Sequence, residues 1–211
     1  MITERFLKLD LEKQRRILNA AYQEFAEQGY ERASTNRIVN NAGIGKGMLF
    51  YYFNSKRELF NYLIDYGIDY IIKKYIDKLD EGESDFIEKY RNASQVKLKA
   101  YKENPHIFNF FATFYINHMY KEVELSEEMQ SRLKNLRNHG FSKIYSNINK
   151  SLFRDDLDPE QVIRLITLTF SGYENEVINR LKGENLSTLD METFWDDFHE
   201  FLAALKKVYY K

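Results

Sequence analysis

The chain reads as an all-α protein, and three features of its sequence point there. Its 211 residues hold only two prolines and nine glycines, too few breakers for a turn-rich all-β chain. Apolar residues recur at three- and four-residue spacing along most of the length, the period of helices that bury one face. Cap residues punctuate those runs, among them Ser34, Ser55 and the Asp158-Pro159-Glu160 start. At 44% hydrophobic content the chain suffices for a real core, as one large domain or as one small and one medium.

A first helix is expected from Leu11 to Gln28, with Leu18, Ala21, Tyr22 and Phe25 as its apolar stripe. Gly29 ends it with a positive φ, and Tyr30 packs back. Ser34 caps a short second helix, Thr35 to Ala42, whose inner face carries Ile38 and Ala42. Gly43 breaks that helix, and Ile44 is expected to be buried in the turn. A third helix follows from Lys46 to Phe53, and two short helices joined by such a turn make a helix-turn-helix. Ser55 and Glu58 then form a capping box for a long fourth helix reaching Leu79. Its apolar positions are Leu59, Leu63, Ile64, Ile68, Ile71 and Ile72. After the loop Asp80 to Ser84, further helices are expected over about 85–103, 105–121, 126–151, 159–182 and 191–209.

Composition removes several classes. With no cysteine there is no disulfide framework and no thiolate metal site, and a reducing compartment fits. The charged start, MITERFLKLDLEKQRR, lacks an apolar signal core. The most apolar stretch, Phe108 to Ile116, is too short to span a bilayer. A soluble, cytoplasmic protein without membrane partners is the expectation. The four histidines, His106, His118, His139 and His199, are scattered without metal-site spacing, and neither a phosphate loop nor a nucleophile elbow occurs. No catalytic residue, metal or cofactor is therefore expected.

Charge is uneven along the chain. Residues 1–57 carry ten Lys/Arg against six Asp/Glu, a net of +4 in a chain whose total is −1. No acid lies between Glu31 and Glu58, where an even spread would place roughly four. Such a stretch suits a surface that faces phosphates. The stretch NNAGIGKGMLFYYFNSKREL sits inside it, with Phe50, Tyr51 and Tyr52 beside Lys46, Lys56 and Arg57.

Gly29-Tyr30, Ser34-Thr35, Ile38, Ala42-Gly43-Ile44, Lys46-Gly47, Leu49, Tyr52-Phe53, Ser55-Lys56 and Leu59 together resemble the DNA-binding domain of the tetracycline-repressor (TetR) family. The resemblance covers residues 11–71, with the helix-turn-helix at about 34–53, and leaves 72–211 as a helical ligand-binding and dimerisation domain. It implies that the third helix enters the major groove. Thr35 and Asn36 would touch backbone or bases, and Lys46, Gly47 and Met48 would open the recognition helix at the base edges. Tyr51 and Tyr52 would face outward to phosphates, and Lys56 would bind a phosphate at the start of the fourth helix. Gly45 and Gly47 would let the backbone approach DNA, while Leu49 and Phe53 face the core. Three positions depart from the family pattern. Gly45 stands where a serine cap is frequent, Met48 where a small or hydroxyl residue is, and Phe50 where a tyrosine is; Met48 offers a thymine methyl a contact but a base edge no strong hydrogen bond.

The second half invites two further expectations. NPHIFNFFATFYINHMY is either ordinary core or one wall of a lipophilic pocket formed by Phe108, Phe111, Phe114, Tyr115, His118 and Met119, completed by Phe141, Tyr145, Phe170 and Tyr173. His118 alone reads as a hydrogen-bonded core histidine. The helices around Leu165 to Tyr173 and Phe194 to Leu205 are too apolar for one core. The resemblance implies a homodimer there, through Leu165, Leu168, Phe194, Phe198, Leu202 and Leu205. These features suggest a dimeric repressor of double-stranded operator DNA, released by a small hydrophobic or amphipathic effector. The alternative is a DNA-binding structural factor, in chromosome organisation or division, whose C-terminal domain binds a protein.

Overall fold

The computed structural model describes residues 4–117, 119, 123–189 and 191–211. Ten α-helices are found among them: α1 Glu4–Leu7, α2 Leu11–Arg32, α3 Thr35–Ala42, α4 Met48–Phe53, α5 Lys56–Lys74, α6 Phe86–Glu103, α7 Pro105–Ile116, α8 Glu127–Tyr145, α9 Pro159–Leu181 and α10 Met191–Tyr209. No strand ladder occurs among the described residues; a single bridge joins Phe153 to Tyr210. The all-α expectation holds.

Several boundaries moved for physical reasons. Gly29 does take a positive φ of 70°, but with ψ at 175°; the chain kinks there and resumes one more helical turn through Arg32. Helix α4 begins at Met48, so Lys46 and Gly47 lie in the preceding turn. Helix α5 stops at Lys74, where Tyr75 leaves helical dihedrals and a 3-10 turn, Ile76–Lys78, follows. That turn buries Ile76 and Leu79. Helix α8 closes at Tyr145, and Asn147 adopts a positive φ of 51° beyond it. Helix α1 was not expected at all. Its Phe6 is fully buried against Phe53 (4.7 Å between ring centroids) and Tyr62 (5.7 Å).

One apolar core runs from Phe6 to Leu205. Its centre is α7, which lies along α2 and α5. Phe110 packs edge-on to Tyr22 (5.3 Å) and to Phe60 (5.6 Å). The Tyr22 hydroxyl donates to the carbonyl of Leu63 at 2.6 Å, and burial raises its pKa well above the ordinary value. At Gly67 of α5 a Cβ would meet the Phe111 ring and stand 3.1 Å from the Tyr22 hydroxyl. The chain end is tied down by Arg154 N–H to Tyr209 O (3.0 Å) and Lys211 N–H to Leu152 O (3.2 Å).

Candidate functional site

The helix-turn-helix is built from α3 and α4. The Ser34 hydroxyl accepts from the Arg37 N–H at 3.4 Å and starts α3. Gly43 ends it in the left-handed region (φ 63°), its N–H directed to the carbonyls of Asn40 and Val39. Ile38, Leu49 and Phe53 are buried, as expected. Ile44 is only half-buried, packed at the edge of the core. Gly47 occupies the N-cap of α4, and no side chain caps that helix, which agrees with the missing serine at Gly45.

Sequence reasoning missed what fastens α3 to α2. Glu24 lies on the apolar side of α2, buried to 4% exposure, four residues after Ala20 and three after Ala21. Its carboxylate accepts from the Ser34 N–H (2.7 Å) and from Arg37 Nε (2.9 Å) and Nη2 (2.6 Å). Arg37 also donates to the carbonyl of Arg32 at 3.1 Å. The hydrogen bond to Glu24, helped by its charge, raises the Arg37 pKa further. Its charge is thus spent inside the domain. The buried acid at an apolar-stripe position was the signal.

Of the residues expected at DNA, Asn36, Lys46 and Gly47 are exposed, and Thr35 and Met48 are half-buried. Tyr51 is exposed at 46%. Tyr52 corrects the expectation of two outward tyrosines: it is 2% exposed and packs edge-on to Phe6 at 5.9 Å. On a helix two adjacent positions point about 100° apart, so both cannot face out once one is in the core. The guanidinium of Arg5 stands 4.2 Å from the Tyr51 ring centroid, bringing a cation from α1 to the recognition face. Lys56 is held in place: Nζ donates to the Glu31 carbonyl (3.0 Å) and lies over the Tyr30 ring at 4.8 Å. Ser55 caps α5 by accepting from the Glu58 N–H at 3.0 Å. The second half of the capping box is different. Ser55 N–H goes to Phe53 O (2.6 Å), and Glu58 accepts from Asn54 Nδ2 (2.9 Å), which holds its carboxyl below the usual range. Arg57 points away from α4, donating to the Glu124 carbonyl at 2.6 Å.

Residues 17–63, from α2 through the helix-turn-helix into α5, match the family described as bacterial regulatory proteins, tetR family. These residues form a tetR-family regulatory domain. An HTH-type transcriptional regulator of Staphylococcus aureus (strain bovine RF122) is 34% identical to it over 76 residues, 36% of this chain and 41% of that protein. The match thus spans about two fifths of that relative's length. Among solved structures, a TetR family transcriptional regulator from Chloroflexus aurantiacus has a TM-score of 0.62 at 24% identity, covering 100% of this chain and 99% of that one. The ketosteroid transcriptional regulator KstR2 of Mycobacterium tuberculosis also has a TM-score of 0.62, at 19% identity with 97% of each chain covered. At these identities the structures establish that the TetR-family fold extends through the second half.

In the second half of the chain the residues expected to form one pocket wall fall into separate groups. Phe108, Phe111, Phe114 and Met119 are buried, and Phe111 fills the junction of α7 with α5. Tyr115 and Phe141 are instead exposed, at 47% and 46%, with the Arg137 guanidinium 5.3 Å from the Phe141 ring. Tyr145 joins a second group: its hydroxyl donates to Thr167 Oγ1 (3.1 Å) and lies 3.0 Å from the Tyr90 hydroxyl. Phe170 stacks on Tyr90 at 3.8 Å, and Tyr173 on Phe201 at 4.4 Å. His118 lies outside the described residues. Two pockets, of 560 Å³ between α6 and α10 and of 10 Å³ beside His106, are lined by none of these ten residues.

The expected dimer residues also divide. Leu165 and Leu168 of α9 are exposed, at 42% and 58%, and Gly172 one turn on has open space beside it. Phe194 and Phe198 are half-buried. Leu202 and Leu205 are a correction: both are buried within the chain, because α10 spends that side on α6, as His199 to Ser94 (2.9 Å) and Lys206 to Glu88 (2.8 Å) show.

Proposed function

We propose that this chain is a DNA-binding transcriptional repressor that acts as a homodimer and leaves its operator when a small lipophilic effector binds residues 72–211. The observation that carries the DNA-binding part is the helix-turn-helix whose flanking stretch, 32–57, holds no acid and leaves Asn36, Lys46, Gly47 and Tyr51 open to solvent. Residues 11–71 would form the DNA-binding unit, with Lys46, Gly47 and Met48 nearest the bases and Tyr51 and Lys56 on phosphates. The uncovered face of α9, Leu165 and Leu168, supports a twofold partner. The effector part is supported by the fold shared with a regulator named for ketosteroids. The test is selection of operator DNA from random duplexes, followed by binding titrations with and without a panel of lipophilic compounds. A pseudo-palindromic site that the panel weakens supports the reading.

One observation favours the structural-factor alternative: Phe108, Phe111 and Phe114 are packed as core. Many scattered genomic sites, with no response to any compound, would favour it over the repressor.

A further inference from the structure

Helix α4 carries an apolar ring on the side it leaves open to solvent. Turning by 100° per residue, it brings its caps Gly47 and Asn54 to the same side as Phe50 and Tyr51, all four exposed. Leu49, Tyr52 and Phe53 hold the other side in the core. Phe50 is 47% exposed and enters none of the ring pairs among the described residues. Such a ring adds nothing to the core, and it leaves water only when something docks on it.

Polar reading groups are scarce on that side. Gly47 has no side chain, and where its Cβ would stand no atom lies within 4 Å. The Asn54 amide nitrogen is committed to Glu58 (2.9 Å). Tyr51 carries a hydroxyl beneath the Arg5 guanidinium, 4.2 Å from its ring centroid, a pairing that suits the phosphate edge. With the Asn54 nitrogen engaged, no side chain of this face offers the donor and acceptor that read adenine or the paired donors that read guanine. Hydrogen-bonded reading falls to Lys46 in the preceding turn and to the start of α3. What α4 itself presents is the open side of Gly47 and, one turn on, the Phe50 ring. Together they admit a small apolar group. The acid-free stretch 32–57, with Lys46 and Lys56 on either side of α4, makes duplex DNA the occupant that its charge fits, and the apolar group a base pair shows in the major groove is the thymine C5-methyl.

We propose that Phe50 is a specificity-determining residue of the recognition helix and seats a thymine methyl against its ring in each half-site. The inference rests on the DNA-binding reading above and names what α4 reads. The ring has no charge and no hydrogen-bond donor, so it acts on the choice of sequence and leaves the salt-dependent part of binding to the lysines.

The full-length protein first selects an operator from random duplexes. Each thymine of that operator is then replaced in turn by deoxyuridine, which lacks only the C5-methyl. One symmetry-related position is expected to weaken binding about fourfold when changed in one half-site and roughly fifteenfold when changed in both, the factor for exposing one methyl-sized group each time. Phe50→Ala should bind the thymine and deoxyuridine operators equally, with an unchanged salt slope, whereas Phe50→Leu should keep part of the preference. Because Phe50 is exposed, its denaturation midpoint should move little in either variant. Insensitivity of the wild type to deoxyuridine at every position overturns the proposal, as does a deoxyuridine penalty that Phe50→Ala leaves intact. Equal weakening of operator and random duplexes by Phe50→Ala overturns it too, since the ring would then lie on the sugar-phosphate backbone. In those three cases the DNA-binding reading stands, because an operator has been selected. If no duplex is selected, that reading falls and the proposal with it.

Discussion

Replacing Gly67 by alanine gives a test in which the sign of the effect decides. In an open helix interior Gly→Ala stabilises by about 1 kcal/mol, through propensity and lost chain entropy. Gly67 sits within α5 with ordinary helical geometry, so propensity alone predicts a gain. The added Cβ, however, would enter the Phe111 ring and stand 3.1 Å from the Tyr22 hydroxyl. That ring has little room to turn, being 5% exposed and wedged against Phe110 (5.4 Å) and Phe114 (6.4 Å). Overpacking of this kind costs about 1–3 kcal/mol. Set against the propensity gain, Gly67→Ala is expected to lose up to about 2 kcal/mol, or roughly 4–8 °C in Tm for a chain of this size. Urea denaturation followed by far-UV circular dichroism, at fixed protomer concentration, measures it. Gly67→Ala combined with Phe111→Leu should cost less than the sum of the single changes, since the smaller side chain frees the space. A Gly67→Ala protein more stable than wild type by about 1 kcal/mol would refute the close packing of α5 on α7.

Three other outcomes are expected. Lys56→Ala should weaken binding to all DNA sequences alike and lower the salt slope by about one, as should Lys46→Ala; wild-type titrations from both would remove that face from the interface. Tyr51→Phe should weaken operator binding without changing stability, whereas Tyr52→Ala should cost about 3–5 kcal/mol of folding stability as a buried ring is lost; denaturation midpoints and binding curves separate the two. Leu168→Glu places a charge on the uncovered face of α9 and should give a folded monomer in sedimentation at micromolar concentration, while a stable dimer would move the interface elsewhere.

The fold and the motif were legible because both are written in local chemistry. Ser34, Gly43 and Ser55 do what cap and turn residues do, and Gly29 takes the positive φ that its place demands. The site was legible only in part, because exposure is a tertiary property. Tyr51 and Tyr52 are the same residue type side by side, and what separates them is Phe6, from a helix hidden in a charged stretch. Lys56 could be read from its motif position, yet its anchors, Glu31 O and Tyr30, lie twenty-five and more residues away. Nothing local marks the Arg37 charge as engaged, because its partner, Glu24, belongs to another helix. The aromatic run on α7 carried two readings, core and pocket wall, and composition has no means of choosing between them. Leu202 and Leu205 looked surplus to one core until α6 was seen to cover them.

How a signal would reach DNA follows from the grip on α5. The second half holds α5 along its length. Arg57 donates to the Glu124 carbonyl (2.6 Å), Arg132 bridges Asp65 (2.7 Å) and Asp69 (2.5 Å), and Lys74 pairs with Glu103 (2.7 Å). Most of those charges are solvent-exposed, and such pairs are each worth about 0–1 kcal/mol. They fix orientation better than they store energy. The stiff element is the packing of Phe111 on Gly67 and Phe110 on Tyr22 and Phe60, since close-packed contacts transmit displacement that flexible ion pairs absorb. A ligand that shifts α7 must therefore move α5, and with it Lys56 and the helix-turn-helix. By linkage, an effector that lowers operator affinity binds the DNA-bound dimer more weakly by the same factor, about 5–150-fold for the usual coupling of about 1–3 kcal/mol. Gly67→Ala forces the same pair of helices apart, so it should change that factor, whereas Lys74→Ala, which cuts only a surface pair, should leave it nearly intact.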